Sequence, residues 1–305
     1  MTRFASDHLE TLLAAVDTGS FDSAAKALSV TPSAVSQRVK AMEQLAGRVL
    51  LQRTAPIRPT AAGETVLRLA RQVRLLDDEA ARELDGGAAT AVPTLALAVN
   101  ADSLGTWFLD ALADVTRRTE VVFDLHREDQ DRTAVLLRDG TVVAAVTAER
   151  KPVQGCLSVP LGVDRYRAVA SPAFVAARLP GARSDRETID LLDRVPLVDF
   201  DRADDLQQGF LRRVLGHAPR SPRHFVPSSA DFARAIELSL GWGLLPEAQA
   251  LAALAEGRLV ELTPGRHADV TLWWQHWNLA SPLLQTVTEA VRRVAGERLR
   301  PTPGT

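Results

Sequence analysis

The sequence predicts an α/β protein preceded by a small helical module and one long helix, and three patterns predict it. In the first 60 residues, apolar positions recur at helical spacing and are interrupted by Gly19 and Gly47. From Ala61 to about Leu84 the helical pattern runs without proline, and without glycine after Gly63. Beyond Pro93, short apolar strands alternate with helical stretches, which is the signature of an α/β layer structure. A chain of 305 residues is also too long for one ordinary core, so two or three domains are expected.

The first helix is predicted from Leu9, Leu12, Leu13 and Val16, with Asp7 and Glu10 spaced as a capping box and Gly19 as the stop. Ser20 is placed to cap a second, short helix whose Phe21, Ala24, Ala25 and Leu28 face inward; Ser29 and Val30 make the turn after it. Thr31 as N-cap and Pro32 at the first helical position start a third helix, which buries Val35, Val39 and Met42 and ends near Gly47. Val49 to Arg53 reads as a strand, Thr54 to Pro56 as a turn and Ile57 to Pro59 as a return strand, the outline of a wing. Residues 1–60 therefore read as a winged helix-turn-helix.

The long helix carries Val66, Leu69, Ala70, Val73, Leu76, Ala80 and Leu84 as an apolar stripe, with charged residues on its other faces. A solitary helix would leave that stripe wet, so a partner helix is expected, and Gly86-Gly87 with Ala88 to Pro93 reads as a hinge. The clearest strands beyond it are Leu95 to Val99, Val121 to Leu125, Val142 to Val146, Pro196 to Phe200 and Leu272 to Trp277. The span from Pro93 to Arg300 is long enough for a two-lobed, cleft-forming α/β domain.

Charge and composition exclude several functions. A net charge of -2 argues against a wholly basic nucleic-acid coat, yet leaves room for one locally basic module. The single Cys156 excludes a disulfide framework and any cysteine-built metal site, and fits a reducing compartment. The opening residues, interrupted by Asp7 and Glu10, lack the apolar core of a secretory signal, and no uncharged run is long enough to span a bilayer. A cytoplasmic, nucleoid-associated protein with no membrane partner is expected. His8, His126, His217, His224, His267 and His276 show no metal-ligand spacing. The chain carries no nucleophile elbow, phosphate-binding glycine loop or dinucleotide fingerprint. An enzyme is therefore not expected, and neither metal nor cofactor is implied.

With Val35, Val39 and Met42 inward, Ser33, Ser36, Gln37 and Lys40 share the opposite face of the third helix, flanked by Arg38. Hydroxyl, amide and cationic groups suit base edges and phosphates, and the helix start adds backbone N–H donors for a phosphate. Arg53 and Arg58 on the wing would lie along the phosphate backbone. The candidate DNA-contacting set is thus Ser20, Thr31, Pro32, Ser33, Ser36, Gln37, Arg38, Lys40, Arg53 and Arg58. An ordinary solvated helix face is the alternative, against which stands the tight turn between two short helices.

These motifs, in this order, resemble the LysR-type transcriptional regulators. The resemblance is carried by Gly19-Ser20-Phe21, Ala24-Ala25, Leu28, the run Val30 to Ser36 and the helix entry Thr60-Ala61-Ala62-Gly63. Within the family the chain is similar to the branch called ArgP, IciA or LysG, through Ser33 to Lys40, Val99 to Leu104, Val142 to Val146, Phe200-Asp201 and Leu262 to Gly265. The resemblance implies an effector domain similar to periplasmic solute-binding proteins over residues 92–305, with lobe I at 92–161 and 268–305 and lobe II at 162–267. It further implies a linker and dimerisation helix at 61–91, a homodimer or tetramer, operator DNA as partner, and RNA polymerase as a second partner of an activator. The effector it implies is L-lysine or L-arginine, and the target an amino-acid exporter gene.

Asn100 and Ser103 follow the first strand of the sensor and start the next helix, at the strand edge where α/β sheets bind ligands. Ser228 and Ser229 precede a second helix, and two facing helix starts could hold a carboxylate, although each also reads as a plain N-cap. A basic amino acid needs an anionic partner as well. Asp102, Glu128, Asp129, Asp201 and Asp231 lie near such edges; Glu128 and Asp201 are best placed, and Thr147 could close the cleft floor. Trp273, Trp274 and Trp277 offer either a stacking platform or core packing, and packing is the more common fate. The alternative within the family is a LysR-type regulator answering another metabolite; those of a different class are a solute-binding receptor, which residues 1–60 do not fit, and an enzyme without DNA binding.

Overall fold

The computed structural model describes residues 3–84, 92–127, 130–181 and 184–302. Three helices open the chain: α1 (Ser6–Asp17), α2 (Phe21–Ala27) and α3 (Pro32–Ala46). The capping box expected at Asp7 is not the start of α1. That helix begins two residues earlier, at Ser6, with Ala5 as an N-cap that has no side-chain bond, and Asp7 sits in its first turn. The other starts follow the local chemistry: the Ser20 hydroxyl accepts from Ser23 N and the Thr31 hydroxyl from Ala34 N, with Pro32 opening α3. Each such cap is worth about 1 kcal/mol. Gly47, at φ 63°, ends α3 in the left-handed region.

The wing is the pair β1 (Leu51–Gln52) and β2 (Arg58–Pro59), antiparallel and shorter than the sequence pattern suggests. Glu43 on α3 accepts from Leu50 N at 2.9 Å, and Ile57 N donates to Gly19 O at 2.9 Å, so the wing is fastened to α3 and to the α1–α2 turn. Next comes α4 (Ala61–Leu84), with the bounds the sequence predicts. Its stripe is covered only in part. Val66, Leu67 and Ala70 are buried with Leu12, Val35, Val39 and Met42 in the core of the N-terminal module, whereas Leu69, Leu76 and Leu84 are exposed. The first turns of α4 thus complete the small core that three short helices cannot fill alone, each buried aliphatic side chain adding about 1.5–3 kcal/mol.

The remainder is β3 (Thr94–Val99), α5 (Ala101–Ser103), a π-helical turn (Leu104–Phe108), α6 (Leu109–Thr116), β4 (Val122–Arg127), α7 (Gln130–Asp139), β5 (Ala144–Thr147) and the long β6 (Cys156–Ala170). Then follow α8 (Pro172–Arg178), α9 (Asp185–Leu192), β7 (Leu197–Asp199), α10 (Leu206–Leu215), β8 (Arg223–Phe225) and α11 (Ser229–Glu237). The chain closes with β9 (Gly243–Pro246), α12 (Glu247–Ala255), β10 (Val260–Glu261), β11 (His267–Trp277) and α13 (Pro282–Arg298).

One sheet runs in the order β10-β6-β11-β5-β3-β4, with β9 also on β6. β3 pairs in parallel with β4 and β5, while β11 runs antiparallel to both β5 and β6. A first core packs β3, β5, α6, α13 and the nearer ends of β6 and β11, and holds Trp107, Phe108, Trp274 and Trp277. Trp274 and Trp277 are therefore core residues, and Trp273 packs under the Arg150 guanidinium, 5.5 Å from its ring centre. A second pair of clusters gathers the far end of β6 with β7, β9, α10, α11 and α12 around Phe210, Trp242 and Phe232. Two lobes result, joined by β6 and β11. Cys156 is a buried member of the first, where burial pushes its thiol up to about 11.

Gly63 shows how closely α4 passes the wing: a Cβ there would lie 2.0 Å from Leu50 O. A backbone carbonyl cannot rotate away, so Gly63→Ala forces α4 off β1 and should cost about 1–3 kcal/mol, the usual penalty of overpacking. Urea unfolding of the variant should lower the transition of the N-terminal module and leave that of the sensor lobes unchanged; an unshifted first transition would contradict this close approach.

Candidate functional site

The outer face of α3 is built as the sequence suggests. Val35, Val39 and Met42 are buried, while Ser33, Gln37 and Lys40 are exposed and Ser36 is half-buried. Thr31 and Ser33 share a hydroxyl contact of 2.9 Å at the helix start beside exposed Pro32, and Ser20 bonds Ser23 at 2.9 Å. Arg38 is engaged within the module: its guanidinium lies 3.3 Å from Asp7 and donates to the Thr11 hydroxyl at 3.2 Å, so it ties α3 to α1. Arg53 and Arg58 are exposed on the wing, Arg58 opposite Gln52 in the strand pair.

Between the lobes lies a cavity of about 640 Å³. Its near wall is the edge where β3, β4 and β5 end, represented by Asn100, Asp102, Arg127 and Thr147; its far wall is the loop Phe200 to Gln207 with Phe232 of α11. Tyr166 of β6 and Leu272 of β11 form the floor. Of the residues expected here, Asn100, Asp102, Thr147 and Asp201 line it. Asn100 is the N-cap of α5 without a side-chain cap bond, and its Oδ1 is buried with no partner. Ser103 is buried away from the cavity wall. Ser228 caps α11, and Ser229 enters through Asp102. Thr147 accepts from Glu149 N at 3.1 Å. Glu128 and Asp129 lie outside the described residues.

Asp102 joins the lobes. Its Oδ1 accepts from the Ser229 hydroxyl at 2.9 Å and its Oδ2 from the Tyr166 hydroxyl at 2.8 Å, while Gln249 Nε2 donates to Ser229 Oγ at 2.9 Å. Burial raises the Asp102 carboxyl above its ordinary value against those two hydroxyls, and the charge of Asp204 pushes the same way. Behind it on β6, burial lifts Asp164 up to about 7, aided by Asp102 and then Glu247 and opposed by Tyr166; Asp164 Oδ2 has no partner. Tyr166, buried between these carboxylates, is held well above its usual range.

The far wall is acidic. Asp201 Oδ1 accepts from Ala203 N at 2.7 Å and Asp204 N at 2.9 Å, and Asp204 accepts from Leu206 N at 2.9 Å at the start of α10. With Asp205 these are three carboxylates on one loop of the cavity, against Arg127 as its one described cation. Asp204, Asp205, Arg127, Tyr166 and Gln207 were missed from sequence. The run Asp201-Arg202-Ala203-Asp204-Asp205 ahead of an apolar helix was the available signal for the acids. Tyr166 and Gln207 gave none.

Comparison with known proteins adds the following. Residues 6–64 match the bacterial regulatory helix-turn-helix protein, lysR family, and residues 88–296 the LysR substrate binding domain. The chain is 44% identical over 304 residues to the HTH-type transcriptional regulator LysG of Mycobacterium tuberculosis, covering 97% of each. It is 44% identical over 294 residues to the lysine export transcriptional regulatory protein LysG of Corynebacterium efficiens, covering 96% of this chain and 98% of that one. Among solved structures it resembles full-length LysG from Corynebacterium glutamicum with bound effector Arg, at a TM-score of 0.83 and 41% identity over 97% of this chain and 100% of that one.

Asp164 makes stability depend on pH. Its folded value lies above the ordinary carboxylate value, so the folded chain binds more protons than the unfolded chain between about 4 and about 7. Stability from this group is complete at the acid end and is lost as pH rises to about 7. Asp164→Asn should flatten the fall in melting temperature between pH 5 and pH 7.5; an unchanged slope would show that the carboxyl ionises normally.

Proposed function

Because the chain belongs to the LysR family of transcriptional regulators, we propose that it reads operator DNA with residues 1–60 and answers to a basic amino acid, L-lysine or L-arginine, bound between its lobes. The acidic cavity carries this reading: Asp102, Asp201, Asp204 and Asp205 face about 640 Å³ with Arg127 as the described countercharge. A side-chain ammonium or guanidinium taken from water needs such carboxylates, or burial costs several kcal/mol. The names of the relatives support it, one being a lysine export regulator and another holding arginine. Control of an amino-acid exporter gene follows from the same relatives.

The division into 1–60, 61–91 and 92–305 accompanies this reading, as does the split of the sensor at 92–161 with 268–305 and at 162–267. So does a homodimer through α4, whose exposed Leu69, Leu76 and Leu84 lack a partner among the described residues, and a tetramer built from two dimers. The site of action is the cytoplasmic nucleoid, with RNA polymerase as a further partner where the outcome is activation.

Calorimetric titration of the full chain should show binding of L-lysine or L-arginine and at least tenfold weaker binding of L-citrulline, whose side chain is arginine-sized and uncharged. Equal affinity for citrulline, or no response to either basic amino acid, removes the proposed effector. On DNA selected from random sequence, Gln37→Ala should relax base preference at a cost of about 1–3 kcal/mol. Arg58→Ala should weaken every sequence alike and lower the salt slope by about one. The same loss of specificity in both variants would contradict this division between base reading and phosphate contact.

A further inference from the structure

We propose that Asp102 receives the α-ammonium group of the effector, and so is the residue by which the cleft demands an α-amino acid rather than its deaminated analogue. This rests on the reading of the cleft as a basic amino-acid site. The head group of an amino acid carries opposite charges on one carbon, so its two receptors must be neighbours. Two residues of the cavity wall, Asp102 and Arg127, are such neighbours, since both bond to the start of α11. Asp102 is bonded to Ser229, the first residue of that helix, and Arg127 donates to Pro227 O at 3.4 Å just before it. Arg127 on the cavity wall offers N–H donors and positive charge to a carboxylate, and Asp102, on the same wall and tied to the same helix start, offers the anion.

The carboxylates of the far wall are arranged otherwise. Asp201 and Asp204 spend oxygens on backbone N–H groups of their own loop, and Asp205 is paired with Arg212. They stand at the β7–α10 junction, on the opposite wall, where they suit the distal cation. Asp102 has no cation among the described residues. Its partners are two hydroxyls from different elements, Tyr166 on β6 and Ser229 on α11, which fix both oxygens and aim the group. Asp204 adds like charge nearby. A half-buried carboxylate held by neutral donors attracts an ammonium more strongly than one already paired. Because Ser229 and Asp102 belong to different lobes, an ammonium on Asp102 also acts where the two lobes meet.

The test is a cycle between ligand and protein, read by calorimetry on the full chain. L-lysine is compared with 6-aminohexanoate, which lacks the α-amino group, and with cadaverine, which lacks the carboxylate; L-arginine is run beside its deaminated analogue 5-guanidinopentanoate. In the wild type, loss of the α-amino group should weaken binding at least tenfold. In Asp102→Asn the amino acids should weaken by a similar factor while the deaminated analogues bind as before, so that the two classes become alike. Equal weakening of both classes overturns the assignment. Tyr166→Phe, which keeps the ring and removes one aiming hydroxyl, should give a smaller loss of the same kind, and it carries the test if Asp102→Asn does not fold. A wild type blind to both basic amino acids would defeat the effector reading instead. A wild type that binds amino acids and deaminated analogues equally defeats only the role of Asp102.

Discussion

Both lobes of the sensor hang on one antiparallel strand pair, β6 with β11. The near end of β6 contributes Cys156 and Leu161 to the first core, and the far end contributes Ala168 and Ala170 to the second. β11 follows it from Cys156 to Arg167, with a change of register between Leu272 and Trp273. Any change in the angle between the lobes must be taken up by this ladder and by the segments around it. The cleft floor is made from the same two strands, through Tyr166, Val270 and Leu272. Whatever settles in the cavity therefore rests on the element that sets lobe geometry, and the coupling of ligand to shape needs no distant relay.

On the outer side of that hinge the charges are already balanced. Arg167 on β6 reaches both Glu247 of α12 and Glu261 of β10, and Arg300 joins Glu247 at 2.8 Å from beyond α13. Arg300 and then Arg167 pull Glu247 down to about 2 in spite of its burial. The cavity side is the reverse, with carboxylates raised by burial and by one another. Removing carboxylates from water is tolerated in a protein when a cation compensates; Arg167 and Arg300 do so on the outer side, whereas Asp102, Asp201, Asp204 and Asp205 of the cavity face Arg127 alone among its described lining. The deficit on the other side gives a cationic ligand its advantage.

The path toward DNA is equally short. Arg71 of α4 touches two other parts of the chain: it lies 3.2 Å from Asp17 of α1 and donates to Asp139 O of the first lobe at 2.8 Å. Arg68 donates to Gln154 O, and Glu79 accepts from the Ser281 hydroxyl and from Leu283 N at the start of α13. The carboxylate of Glu79 thereby satisfies donors of a helix N-terminus, a favourable place for negative charge. Since the first turns of α4 belong to the core of the N-terminal module, the long helix is built into that module and docked on the lobe. A few kcal/mol of ligand preference between two dockings is enough to move such an equilibrium.

Where the sequence was legible, local chemistry decided the structure. Thr31-Pro32, Gly47 and the unbroken run Ala61 to Leu84 specify helix ends through capping and propensity, which no distant contact has to supply. The long strand β6 was not legible. Pro160, Gly162, Asp164, Arg165 and Arg167 break its apolar alternation, because one strand serves two cores, a cleft and an ion-pair network in turn. Position in sequence favoured Asp201 among the acids and passed over Asp204 and Asp205, although the far wall sets all three on one loop. For Asp102 local pattern pointed to the right edge of the sheet, but its partners Tyr166 and Ser229 lie 64 or more positions away along the chain. A group's neighbours across a cleft depend on how two lobes meet, and local pattern carries no record of that meeting. What the local pattern does carry is where each lobe offers its polar edge, and the fold then decides which edges confront one another.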